Sequence, residues 1–442
     1  MCKRAIHIIP ALLISLLIAG CAKGGGLQAD TGGGSNGTLL LNMGDSLPDQ
    51  VLALEFTVNN ATLSGSTNPV IISTPTKVEF IRNAAKFETV AIPNLPAGTY
   101  TAITFTLSAP VTTIADPVSH TIVPVATLLT NATVPISLGS GVVVGSTPVT
   151  LNLELNTASS LLISGTSATL TPAFTVSTAN VGATQDDSSG EFDNIKGRIT
   201  TLGSSSITIQ PSNSAQPFTF ATNASTQFKN GTTALSVGGI VTIEGVTQSD
   251  GSLLARQVEG ETVGGSGSEV EGIITSISGN PATSFSLTAE SNIASNSANA
   301  PVTGSTVLST PSASVQYSTE SATISGTLPA FNGSTLGLGQ RVEVASEVQG
   351  PSSTAATGDR IKLQEQAVGG IISNLSAAGF TLLLPTDSFL TTLAGVTSIT
   401  VTTTSTTQNK FGTLSNGVSV RARGLLFFNG TVYNMVASRI AP

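Results

Sequence analysis

The sequence predicts an all-β protein, a β-sandwich followed by small β-barrels, and three observations carry that expectation. Apolar and polar residues alternate with period two over many short stretches, with turn residues between them. Helical periodicity is nowhere sustained. Val, Ile, Leu and Thr supply the core, since Trp is absent and Tyr numbers 3 against 16 Phe, and such usage favours strands.

The N-terminus reads as an export signal over residues 1–20. Lys3 and Arg4 form a positive region, and the apolar run Ile6 to Ile18 is too short and too poorly flanked for a transmembrane helix. The segment Leu17-Ile18-Ala19-Gly20-Cys21 resembles the bacterial lipobox. That resemblance implies lipid on the Cys21 thiol, cleavage before Cys21, and acylation of the new amine. Acyl chains contribute about 0.8 kcal/mol per buried methylene, enough in number to hold a folded domain on a membrane. Ala22 and Lys23, with no Asp after the cysteine, imply sorting to the outer membrane by the same resemblance. Residues 21–36 follow as a Gly-rich tether.

Residues 37–180 predict a β-sandwich of immunoglobulin- or prealbumin-like kind. "VLALEFTV" (51–58) puts Leu52, Leu54, Phe56 and Val58 on one face and Ala53, Glu55 and Thr57 on the other. "KVEFIR" (77–82), "TYTAITFTLS" (99–108) and "VTLNLELN" (149–156) alternate too, and Pro96 and Gly98 mark a turn in "LPAGTY". "GTLLLNMGDSLPDQVLALEFTVNNATL" and "IPNLPAGTYTAITFTLS" resemble a bacterial lipoprotein domain, domain-of-unknown-function family 4382.

"QDDSSGEFDN" (185–194) is a polar, acidic break, and residues 181–193 are expected to be a linker. Asp186, Asp187, Glu191 and Asp193 cluster oxygens of the kind calcium prefers, but their spacing matches no EF-hand loop, so a solvated linker is the first reading.

The remainder repeats itself. "NIKGRITTL", "EVEGIITSI" and "AVGGIISNL" open three units, at 194–261, 269–366 and 367–442, the second carrying an insertion near 290–311. Gly197, Gly272 and Gly370 fall inside the opening strands, where glycine marks a bulge or barrel corner, and Gly238, Gly339 and Gly417 precede a later strand. A Gly/Ser stretch at 262–268 suggests separable modules, whereas the junction near Gln366 has no spacer. The pattern resembles domain-of-unknown-function family 5666, the first unit most closely through "KGRITTLGSSSITI", "LSVGGIVTIEG" and "DGSLLARQVE". Short strands with a glycine-bulged opening strand point to OB-like barrels.

Composition narrows the chemistry. Loss of the signal removes Lys3 and Arg4 and no acidic residue, leaving 15 basic against 25 acidic residues, a net −10. Charged residues are 10% of the chain, and no basic footprint for nucleic acid is evident. Phe192, Phe218, Phe220 and Phe228 read as barrel core rather than as base-stacking platforms. With Cys2 in the signal and Cys21 acylated, no thiol is left for a disulfide, metal or nucleophile. His120 alone builds no zinc site, and no GxSxG elbow accompanies it. "VGGSGSE" lacks the ending of a phosphate loop, and Glu259 with Glu261 forms a carboxylate pair without a visible cleft. The expectation is a non-enzymatic, cofactor-free, lipid-anchored envelope protein with a display or binding role. Its partner would be a glycan or an envelope protein. The alternative is a carbohydrate- or polymer-binding accessory of a surface complex.

Cys21→Ser is expected to leave an unprocessed precursor and to abolish metabolic palmitate labelling; normal labelling of the variant would refute the lipid assignment.

Overall fold

A computed structural model describes residues 36–442, apart from 47–48, 185, 215, 230–234, 263–266, 295–299, 321–323 and 347–354. Cys21 and the tether lie outside the described residues. The described chain is mostly strand, and its α-helices are two short turns, Thr157–Ser160 and Phe389–Ala394.

The sandwich has two sheets. One runs 174–180, 149–156, 36–46, 87–91, with 36–46 parallel to 149–156. The other runs 161–164, 167–170, 121–129, 98–116, 51–65, 70–72. Leu39, Leu41, Met43, Leu151 and Leu153 from the first sheet pack against Leu54, Phe56, Val58, Ile103 and Phe105 from the second. Period two thus reports the core face at Leu54, Phe56 and Val58 but not at Leu52, which alternation places with them. The opposite face is not left to solvent. Glu55 is only 6% exposed, bonded by Lys77 and, across 248 residues, by Thr303 in the insertion of the second repeat. Leu40, one residue out of phase with the sandwich core, joins the core of the first barrel. Leu52 joins that of the third, helped by a register shift between Val51 and Ala53.

Each repeat closes a five-strand barrel with the same order, first-second-third-fifth-fourth, and with the third strand parallel to the fifth. In the second barrel the strands are 268–278, 284–293, 306–319, 341–346 and 355–363. In the third they are 365–376, 379–383, 398–409, 419–428 and 433–441. The first uses 191–202, 206–211, 218–221, 240–247 and 253–260, closed by the pairing of 218–221 with 253–260, and adds a short strand, 227–229, beside the last.

The repeated glycines explain the closure. A Cβ on Gly197, Gly272 or Gly370 would lie 2.8, 2.0 or 2.4 Å from a carbonyl oxygen of the second strand, those of Gln210, Thr288 and Leu383. Only glycine lets the two strands pass so closely as the sheet bends. Gly238, Gly339 and Gly417 all have positive φ, and each donates its N–H to the first strand, at Ile199, Ile274 and Ile372. The Phe residues of the first barrel are core: Phe192 meets Phe220 edge-on at 5.5 Å, and Phe218 is buried beside them.

Residues 35–442 form one compact unit. Leu425, Phe427 and Val436 of the third barrel lie in the hydrophobic cluster of the second, so those two share a core. The ends of the expected Gly/Ser spacer are buried rather than free: Glu261 pairs with Arg360, and Ser268 is inaccessible. The acidic stretch before the first barrel is likewise folded, with a turn at Asp187–Ser189 and both Asp186 and Asp187 buried.

Gly272→Ala is expected to cost at least about 1–3 kcal/mol in chemical denaturation, because backbone must move. Gly145→Ala, whose added Cβ meets nothing within 4 Å, should change stability by less than about 0.5 kcal/mol. Equal effects would contradict the close-approach explanation.

Candidate functional site

Charged side chains are scarce in this chain, and an unusual share of them is buried where the modules meet. Lys196 occupies the opening strand of the first barrel, just past a register shift between Phe192 and Ile195 and the positive-φ residue Asn194. Its ammonium lies 3.1 Å from Glu269 and 3.2 Å from Glu271, and also bonds Glu343. All three acids belong to the second barrel. Glu271 and Glu290 in turn flank the Arg341 guanidinium, each at 2.9 Å.

The sandwich enters this network through its loop at 82–85. Arg82 pairs with Glu88, while the carbonyls of Arg82, Ala84 and Ala85 accept hydrogen bonds from Arg341 (3.1 Å), Arg423 (3.0 Å) and Arg439 (2.8 Å). One loop therefore receives an arginine from the second barrel and two from the third. Burial pulls the Lys196 pKa down, but its three carboxylates outweigh this and raise it well above the ordinary lysine value. Burial pushes Glu271 up, yet Arg341, Lys196 and Arg82 hold it far below the carboxylate range.

Beside the network lies a cavity of about 220 Å³, lined by Lys86, Asp193, Glu244, Glu320, Arg423 and Arg439 among others. The sandwich, the first barrel, the second-to-third junction and the third barrel all contribute. Most buried charges nearby are paired, but four on this wall are not. Lys86 is 9% exposed and has no ion pair or side-chain hydrogen bond among the described residues. Asp193 has no cation at pairing distance among them either. Glu244 accepts only from the Gln257 amide, at 3.2 Å, and Glu320 only from the Glu365 N–H, at 2.8 Å. Burial, then the Arg423 charge, pulls Lys86 down to about 8. Burial, then Asp187 and Glu191, pushes Asp193 up to about 7. Burial, then Asp193 and Glu320, pushes Glu244 up to about 8.

The four carboxylates considered for calcium do not form a coordination shell. Asp186 caps its own turn and bonds Lys410; Asp187 accepts from Arg439 (2.9 Å) and from the Phe87 N–H (2.7 Å); Glu191 pairs with Arg256. Protein cations occupy the places a metal would take, and no group of three or more His, Cys, Asp or Glu side chains is arranged to hold a metal among the described residues. Asp193 alone of the four turns into the cavity as an unpaired group. The pair Glu259 and Glu261 is bound by Lys362, with Arg360 on Glu261, so it serves as an inter-barrel clasp. His120 sits in a tight turn with positive φ, its Nδ1 at 3.2 Å from the Thr392 carbonyl of the third barrel. Lys86, Glu244 and Glu320 were not singled out in the sequence. The sequence offered only the general scarcity of charge in a Ser/Thr-rich chain, which does not single these three out.

Residues 196–259, the body of the first barrel, match a family model described as Domain of unknown function (DUF5666). No curated protein and no solved structure matches the chain.

The pH dependence of stability follows from these groups. Asp193 holds a proton in the folded state that the unfolded chain releases near the ordinary aspartate value of 3.8. Its contribution is full below that value and is lost as pH rises through about 7. Glu261 behaves oppositely: burial raises it, but Lys362 and Arg360 override this and hold it at about 2, so its contribution is lost as pH falls toward that value. Asp193→Asn is therefore expected to raise the thermal midpoint over wild type at about pH 8 and to show no gain below about pH 4. A gain that does not vary with pH would contradict the assignment.

Proposed function

We propose that this is a non-enzymatic, lipid-anchored protein of the bacterial cell envelope, held through Cys21 at the outer membrane, whose folded body binds a small ligand. The observation that carries the binding role is the preformed cavity with Lys86, Asp193, Glu244 and Glu320, none of them in an ion pair among the described residues, beside a network whose buried charges are ion-paired. Leaving charges desolvated and unpaired costs stability, and such sites concentrate where ligands bind. The lipobox and Gly-rich tether support the anchoring. In this reading the sandwich is a domain of the family 4382 kind. The second and third barrels are further units of the kind matched by the first, a view supported by their common strand order and equivalent glycines.

Nucleic acid is not the proposed partner. The mature charge is −10, and much of the basic complement is committed to internal pairs, as with Lys196, Arg82, Arg341 and Lys362. A carbohydrate- or polymer-binding role is the second reading. It is favoured by a separate groove of about 360 Å³ on the first barrel, uncharged and lined by Ile92, Ser206, Gln216, Thr219 and Ser252 with Phe218 beneath.

Envelope fractionation is expected to place the mature chain with the outer membrane. A thermal-shift panel of glycans and small charged metabolites on the soluble body should yield at least one ligand that raises the unfolding midpoint. No shift with any class would overturn the binding role, and a glycan shift abolished by Gln216→Ala would favour the second reading.

A further inference from the structure

We propose that the cavity beside the ion network is a binding site for a small zwitterion carrying a primary ammonium and a carboxylate, an α-amino acid or a short peptide. The inference rests on the binding role proposed above and names the ligand class.

The argument begins with what the walls lack. Neutral sugars and quaternary ammonium groups are commonly held against aromatic faces, and no Phe, Tyr or Trp lines this cavity among the described residues. A bare divalent cation needs converging oxygens, and no such convergence exists among the described residues. A dianion would face Asp193, Glu244 and Glu320, three carboxylates with no ion-paired cation among the described residues. A diamine would answer those three but would meet Lys86, Arg423 and Arg439 in the same cavity.

What the walls offer is polarity in two directions. Asp193, Glu244 and Glu320 act on one another as neighbours, since Glu244 feels both of the others. Lys86 stands with Arg423, whose charge it feels most strongly after burial itself. Arg423 and Arg439 are already engaged, by Glu365 at 3.3 Å and Asp187 at 2.9 Å, so among the described residues Lys86 is the lining cation without an ion pair. Among the described residues the three carboxylates thus lack an ion-paired cation, and Lys86 lacks an ion-paired carboxylate. A ligand ammonium between Asp193 and Glu244, with its carboxylate on the Lys86 ammonium, satisfies both sets. A buried Gln408 carbonyl oxygen, also without a partner, offers a further acceptor for an ammonium or a peptide N–H. The volume, about 220 Å³, lies below the ~300–1,000 Å³ of typical drug-sized pockets and suits a molecule of one or two residues.

Binding should also move protons. Without ligand, burial and neighbouring carboxylates outweigh the nearby cations, so Asp193 and Glu244 hold protons near neutrality. An arriving ammonium favours their ionised forms, so protons leave on binding.

The test is calorimetry on the whole soluble body from residue 22, with diglycine and alanine as probes and putrescine, succinate and N-acetylglucosamine as comparisons. Diglycine or alanine is expected to bind with proton release, seen as heats that vary with the ionisation enthalpy of the buffer. Lys86→Met and Glu244→Gln should each weaken that binding by about tenfold to a hundredfold, the effect of losing a charge-assisted contact. Lys86→Met should not weaken putrescine, and both variants should unfold cooperatively as folding controls. Binding of putrescine or succinate in place of the zwitterions would overturn the ligand class while leaving a charged-ligand site standing. Binding of N-acetylglucosamine alone, unaffected by Lys86→Met, would move the ligand to the neutral groove. Silence from every probe would overturn both the ligand class and the cavity as a binding site.

Discussion

The burial of Lys196 among Glu269, Glu271 and Glu343 is the constraint on which the assembly of this molecule depends. An ammonium removed from water loses several kcal/mol of hydration, and only well-placed carboxylates and hydrogen bonds compensate. Those carboxylates lie on a different barrel, and they in turn need Arg341, which needs the carbonyl of Arg82 in the sandwich. Pairs within a module, such as Arg82 with Glu88, are thereby tied to contacts between modules. The network specifies how the modules sit together more than it adds to stability, since apolar side chains of similar shape often stabilise as well as buried ion pairs.

Around that network the barrels are repeats with one structural rule and different docking. The same strand order and the same close approach at Gly197, Gly272 and Gly370 recur. What differs is the exterior. The first barrel takes in Leu40 of the sandwich, the second sends Thr303 to Glu55, and the third receives Leu52 and Ala115. The charged cavity lies where these dockings converge without filling space. Its unpaired groups are what distinguishes it from the paired network beside it.

Much of the fold was legible in the sequence because strand periodicity and special glycines act locally. Alternation identified the sandwich core at Leu54, Phe56 and Val58, and the interior glycines marked the barrel bends. Period two says that one face of a strand is buried; it does not say that the other face is wet. Glu55 looked like a solvent residue and is an interface residue. The acidic run at 185–194 looked like a linker because acids are usually solvated, yet Lys410 and Arg439, more than 200 residues away in sequence, neutralise two of its aspartates. Of the candidate site, Asp193 was singled out for calcium and instead belongs to the cavity. Lys86, Glu244 and Glu320 carry no local pattern that distinguishes them.

By itself, then, the sequence determined the all-β class, the three repeats, the core face of many strands and the glycines that close the barrels. Each of these depends on backbone sterics and side-chain alternation within a few residues. The tertiary structure alone decided that the modules form one body, which carboxylate meets which cation, and where four charges are left unpaired. Electrostatic pairing in a buried interface depends on distances between residues 75 to 350 positions apart in the chain, and no local pattern encodes those distances.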